Sequence, residues 1–87
     1  MIDNPIRLSG HAWDTLNNRG AKYEEVIETI QTAVWSSGDK DRLHCRKNFF
    51  YGQIWNDIFY NTKQVRPIFI DKVHEIIVVT VYVYYFL

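Results

Sequence analysis

One cysteine, two prolines and four glycines are all that this 87-residue chain holds of those three residue types. A lone cysteine excludes an internal disulfide framework and a cysteine-based zinc site. Such usage suits a reducing compartment. Two separated prolines make no proline-rich linker. An excess of either charge is also missing: ten basic residues balance ten acidic ones, so the formal net charge is 0. A neutral chain has no bulk attraction to nucleic acid, anionic lipid or acidic substrate. Long apolar runs are lacking too. Residues 76–87 are apolar, but a membrane-spanning helix needs about 20 such residues. The opening MIDNPIRLSG carries no apolar signal core. These absences predict a cytoplasmic protein with no membrane partner. His11, His44 and His74 show no metal-ligand spacing, and no glycine loop cradles a phosphate. No metal and no cofactor are therefore expected.

What is present is core material. Apolar residues make up 47 % of the chain and aromatic ones 16 %, against 23 % charged. A disordered chain is not built this way. The length predicts one domain spanning residues 1–87. A chain of this size buries only about 60–65 % of its extended surface, so its core must be efficient. The charge is unevenly spread. Residues 1–37 hold five acids and three bases (net −2), and the remainder holds five acids and seven bases (net +2).

The first third reads as helical. A helix is predicted over residues 10–18, with Ser9 as N-cap and Gly20 as the stop just past its end. Ala12, Trp13 and Leu16 form its apolar stripe, and Leu8 and Trp13 stand at the spacing of a hydrophobic staple. A second helix is predicted over residues 23–35, from the spacing of Val26, Ile27, Ile30, Ala33 and Val34. Glu24, Glu25 and Glu28 suit its first turns, where the macrodipole favours anions.

Beyond Gly38 the pattern turns to strand. Strands are predicted over residues 41–47, 54–60, 65–70 and 75–86, with turns at Tyr51-Gly52 and Asp71-Lys72. Pro67 cannot donate to a ladder, which predicts an edge strand or a bulge there. The last strand is expected to present Ile77, Val79, Val81 and Val83 to the core and Thr80, Tyr82 and Tyr84 to the other side. The fold expected is α+β: two N-terminal helices on one face of a four-stranded antiparallel sheet. Ala12, Trp13, Val26 and Ile30 should meet the aliphatic face. The opposite face would carry hydroxyls and the cations Arg42, His44 and Arg46.

The run Ile6-Arg7-Leu8-Ser9-Gly10-His11-Ala12, then Arg19-Gly20, then Glu24-Glu25-Val26, resembles a bacterial domain family of unknown function. The terminal Thr80-Val81-Tyr82 belongs to the same pattern. That family is grouped with the RelE/ParE-like toxins of toxin–antitoxin systems. Lys22 departs from it, standing where a capping Ser is usual. The resemblance implies two helices on a twisted antiparallel sheet. It also implies RNA cleavage without metal, in which a 2′-hydroxyl attacks the adjacent phosphate. Such chemistry needs a proton donor and acceptor, and positive charge where the phosphorane forms.

Each candidate residue has a competing structural reading. His11 is a candidate general acid or base, because histidine is the residue type that titrates nearest neutrality. It can equally fix the first turn of its helix. Arg19 is a candidate phosphate ligand, or a cation on the free carbonyls of a helix end. Arg42, His44, Arg46 and Lys47 form the local basic cluster, suited to an RNA backbone. They can also be a solvated strand face or charges that protect an edge. Arg46, with Arg19, is expected to act as a phosphate-binding cation. Tyr82 is a candidate phenolic helper, and Tyr82 and Tyr84 can stack bases or simply pack across strands. Cys45 reads as buried and inert.

Two functions are expected on these grounds. One is a toxin-fold ribonuclease using His11, Tyr82 and Arg46 for chemistry, with Arg19, Arg42, His44 and Lys47 holding RNA. The other is a non-catalytic module that binds an antitoxin-like protein or a second copy of itself. The neutral net charge weighs against a free-standing RNA binder.

Overall fold

The structure, a computed structural model, describes residues 4–87. Residues 1–3, part of the stretch read above for a signal core, lie outside the described residues. Strand β1 (Ile6–Leu8) leads into helix α1 (Gly10–Arg19) and helix α2 (Tyr23–Thr32). Five strands follow: β2 (Ser36–Ser37), β3 (Leu43–His44), β4 (Lys47–Trp55), β5 (Ile58–Asp71) and β6 (Ile76–Phe86). No helix among the described residues is long and apolar enough to cross a membrane.

The expected four-stranded antiparallel sheet is not what forms. Six strands make one mixed sheet in the order β1-β6-β5-β3-β2, with β4 also pairing β5. β1 runs parallel to β6, Ile6 opposite Ile76 and Leu8 opposite Val78. Three residues are too few to show a period of two, so β1 left no trace in the pattern. The turn expected at Tyr51-Gly52 is instead a bulge within β4, where the register slips between Phe50 and Gln53. Gly52 takes φ +60° there, and a bulge commonly uses glycine in this left-handed region. The true hairpin turn is Asn56-Asp57, with φ of +49° and +69°. Two consecutive positive φ values define the tight turn that suits strand twist. The chain therefore continues straight into β5, whose 14 residues span about 43 Å end to end at 3.3 Å per step. That strand sets the 42 Å long axis of the molecule.

Pro67 lies in this central strand, not at an edge, and is fully buried. The ladder is interrupted where it sits. β3 pairs as far as His44 with Ile68, and β4 resumes at Lys47 with Val65. Cys45 and Arg46 cross the gap, so the missing proline N–H faces no regular rung.

The helices behave as local chemistry demands at most ends. Ser9 Oγ accepts from the Ala12 N–H at 3.1 Å, and Gly20 closes α1 at φ +82°. α2 opens at Lys22, whose N–H donates to Glu25 Oε1 at 2.8 Å. It ends at Thr32, three residues before the expected Trp35. Trp35 turns back instead: its indole N–H donates to the Ile30 carbonyl at 2.8 Å, and its ring meets Phe69 edge-on at 4.9 Å.

The core lies between the helices and one sheet face. Ala12, Leu16, Val26 and Ile30 meet Val65, Phe69, Val78 and Val81 there. Trp13 is not in it. Its ring is 42 % exposed and stacks on Tyr23 at 5.5 Å, joining α1 to the start of α2. The predicted core face of the last strand also needs correction. Ile68 pairs Thr80 but Phe69 pairs Val78, leaving Val79 as an extra residue. The alternation changes phase at that bulge. Ile76 and Val78 face the core before it, Val81 and Val83 after it.

Past β1, the outer edge of β6 has no strand partner among the described residues, and α1 covers it. Ser9 Oγ donates to the Val79 carbonyl at 3.4 Å. Thr15 Oγ1 accepts from the Val81 N–H at 3.1 Å, and Arg19 Nη1 donates to the Val81 carbonyl at 2.8 Å. A helix thus supplies what a seventh strand would have supplied, satisfying backbone groups that are costly to leave unpaired.

Candidate nucleic-acid interface on the open sheet face

The sheet face away from the helices is open. β3, β5 and β6 place alternate side chains on it because strand side chains repeat every two residues. His44, Arg66, Ile68, Thr80 and Tyr82 line a cavity of about 620 Å³ there. Its far wall is the segment between β2 and β3, which contributes Gly38, Asp39 and Arg42. That segment is held in shape by Gly38 N–H to the Arg42 carbonyl at 2.8 Å and Arg42 N–H to the Asp39 carbonyl at 3.0 Å. His44 packs beside Gly38: a Cβ there would lie 3.7 Å from the imidazole Cδ2.

Arg66 organises the floor. Its Nε–H donates to His44 Nδ1 at 3.4 Å. An imidazole that accepts at Nδ1 carries its proton on Nε2. Arg66 also stands over the Tyr82 ring, 5.6 Å from its centroid. Arg19 approaches the same ring to 5.0 Å from the outer edge of β6, while donating to the Val81 carbonyl. Tyr82 is thus bracketed by guanidiniums reaching it from opposite sides of β6. Such cation–π contacts contribute roughly 0.5–1 kcal/mol each at exposed sites. With its ring so engaged, Tyr82 has its phenolic hydroxyl to offer.

A smaller cavity of about 240 Å³ adjoins the first through Arg66. Arg46, Gln64, Tyr84 and Phe86 complete its lining. Tyr84 is 40 % exposed, its ring 6.5 Å from that of Tyr82.

Charge on this face is unbalanced although the chain is neutral. Three ion pairs form among the described residues: Arg7 with Glu75 at 3.0 Å, Lys47 with Glu28 at 2.9 Å, and Lys63 with Glu25 at 2.8 Å. Two of them draw helix carboxylates onto the opposite face of the sheet. Arg19, Arg42, Arg46 and Arg66 are in none of them. Asp39 is the one carboxylate lining either cavity.

The candidates read from sequence divide accordingly. Arg42, His44 and Tyr82 come together in the larger cavity, with Arg19 against Tyr82 and Arg46 in the adjoining one. His11 is exposed in the first turn of α1 and lines neither cavity. Lys47 points to the helices, where Nζ also donates to Thr32 Oγ1 at 3.0 Å. Arg66 was missed, although it alternates with Val65 and Pro67 as an outward residue should. Asp39 was missed because only the fold of the segment after β2 brings it to the wall.

The titratable groups with displaced values lie elsewhere. Burial pushes the Cys45 thiol from 9.0 to about 11. Tyr85 is pushed up to about 12, by burial first and then by Tyr51 and Glu25 nearby. Its hydroxyl donates to the Arg19 carbonyl at 2.7 Å. Among the described residues no three His, Cys, Asp or Glu side chains converge as metal ligands.

Comparison with family models, with curated proteins and with solved structures finds no match to this chain. The likeness to RelE/ParE-like toxins rests on the sequence motifs alone.

Proposed function

We propose that the open sheet face binds RNA and cleaves it by attack of a 2′-hydroxyl on the adjacent phosphate. The observation that carries this is the lining of one cavity by Arg42, Arg66, His44 and Tyr82, with both arginines outside the ion pairs of the described residues. Guanidiniums bind phosphate oxygens through their fixed fork of donors. Held over the cavity, they stabilise charge as the phosphorane forms. Asp39 takes the proton of the 2′-hydroxyl. The 2′-oxygen bonds to phosphorus, the bond to the 5′-oxygen breaks, and the Tyr82 hydroxyl gives that oxygen its proton, while His44 Nε2–H donates a hydrogen bond to a phosphorane oxygen. The products are a 2′,3′-cyclic phosphate and a 5′-hydroxyl. Arg19, over the Tyr82 ring, positions it. This reading keeps the toxin-like role that the motifs imply and the cytoplasmic location that the composition predicts, with the histidine of the site moved from His11 to His44.

The test is incubation of the purified protein with labelled RNA in excess chelator. We expect cyclic-phosphate ends, no cut in a DNA of the same sequence, and at least a hundred-fold loss in His44→Ala. Equal cutting of DNA, or a fully active His44→Ala, overturns it.

A different observation favours a partner-binding reading. β4 is an edge strand of nine residues, with Phe50 at 87 % and Ile54 at 66 % exposure. Such an edge accepts an added strand from an antitoxin-like protein or a second copy. Sedimentation of the purified chain separates these: a concentration-dependent dimer lost in Ile54→Lys supports self-pairing.

A further inference from the structure

We propose that the substrate is a single strand, and that the smaller cavity is a second nucleotide subsite whose base stacks on Tyr84. This rests on the RNA reading above and specifies which form of RNA the face accepts.

Arg66 lines both cavities. A phosphate held by Arg66 therefore sits at their junction, and the chain on either side of it must enter one cavity or the other. Tyr82 is a poor platform, since Arg19 and Arg66 already engage its ring at 5.0 and 5.6 Å. Tyr84 is in neither cation–π contact and is 40 % exposed. Arg46 beside it can hold the next phosphate, and Phe86 closes the far end with an apolar wall. The subsite thus combines a cation with an aromatic platform, the pairing that binds single strands. A base inside a duplex has both faces covered by its neighbours, so only an unstacked base can use Tyr84.

The subsite also has a means of reading the base. Gln64 Nε2 donates to Asn48 Oδ1 at 2.9 Å. Gln64 lines the cavity, and this bond to Asn48 fixes its side-chain amide there. A side-chain amide held in place this way offers hydrogen bonds to a base edge.

The probe is a labelled single strand of 2′-O-methyl RNA, which binds but offers no attacking hydroxyl, measured by fluorescence anisotropy on the full chain. We expect it to bind at least ten-fold tighter than the same strand in a duplex, and ten-fold tighter than a nucleoside 3′-phosphate. Tyr84→Ala should weaken it about ten-fold, equivalent to 1.4 kcal/mol, and Tyr84→Phe should not. Arg46→Ala should weaken it and lower the slope of log affinity against log salt by about one phosphate contact. An unchanged melting temperature checks that each variant is folded. Equal binding of duplex and single strand overturns the subsite, as does a Tyr84→Ala variant with unaltered affinity. If RNA is nevertheless cut to cyclic-phosphate ends with the KM of Tyr84→Ala unchanged, only this inference fails and the cleavage reading stands.

Discussion

Arg66 is the residue on which the candidate site turns. It touches the imidazole of His44 and the ring of Tyr82, and it joins two cavities. Arg66→Ala should lower RNA affinity about ten-fold and take about one unit off the salt slope, since it removes one phosphate contact. Arg66→Lys should restore the charge but not the fork. Filter binding across a salt series checks both. Gly20 is as decisive for the fold. It combines φ +82° with a close approach: a Cβ there would lie 2.5 Å from the Tyr85 hydroxyl and 2.9 Å from the Trp55 ring. Gly20→Ala should lower stability by at least about 1–3 kcal/mol from backbone strain alone. Urea denaturation measures the shift. Both glycine and caps were legible from sequence, because a cap needs only its own few neighbours. Arg66 was legible in principle from its alternation with Val65 and Pro67, but the proline drew the reading toward an edge strand.

At the scale of elements, α1 doubles as the border of the sheet. Thr15 is 7 % exposed, and its hydroxyl both donates to the Ala12 carbonyl at 3.0 Å and accepts from the Val81 N–H. Thr15→Val leaves that N–H unsatisfied in the core and should cost about 1–3 kcal/mol, while Thr15→Ser should cost much less. Thermal melts of the two variants separate them. Lys63 ties β5 to the helices in a second way. Its Nζ, on a side chain 3 % exposed, meets Glu25 at 2.8 Å and donates to the Gly20 carbonyl at 3.0 Å. Removing one partner of a buried pair strands the other, so Lys63→Met should cost about 3 kcal/mol. The double variant Lys63→Met with Glu25→Gln should recover part of it. Neither role can be read from sequence, since Lys63 stands among polar neighbours with nothing to mark it as inward. The alternation of His44 and Arg46 against Leu43 and Cys45 was legible, because polar and apolar residues alternate there with the strand period of two.

Over the whole molecule Cys45 and Tyr85 set an alkaline limit. The Cys45 thiol is held protonated to about pH 11 in the folded state and to about 9 when free. Between those values the unfolded chain binds fewer protons than the folded one, so stability falls as pH rises. Tyr85 extends the fall, from 10 to about 12. The urea midpoint should be flat between about pH 6 and 8, then drop toward pH 11, and drop less in Cys45→Ala. A thiol reagent at pH 8 should react with Cys45 only after unfolding, as its buried neutral form is unreactive. The charge distribution is also a whole-molecule property. Pairing Lys47 with Glu28 and Lys63 with Glu25 places helix acids against sheet cations on one side. The arginines are left on the other, so a chain of zero net charge can still present a basic face.

Caps, helix starts, the class of the domain and the outward set of Arg42, His44, Tyr82 and Tyr84 follow from residues within a few positions of one another. Short-range sterics and hydrogen bonding are enough to specify them. The parallel strand β1, the bulge at Val79, the central place of Pro67 and the meeting of Arg66 with Arg42 were settled only on folding. Each depends on partners dozens of residues away: Leu8 needs Val78, and His44 needs Ile68. A single extra residue in β6 put Ile76 and Val78 against the helices in place of Ile77 and Val79, while Val81 and Val83 kept the expected face, because strand alternation has no tolerance for a slip of one.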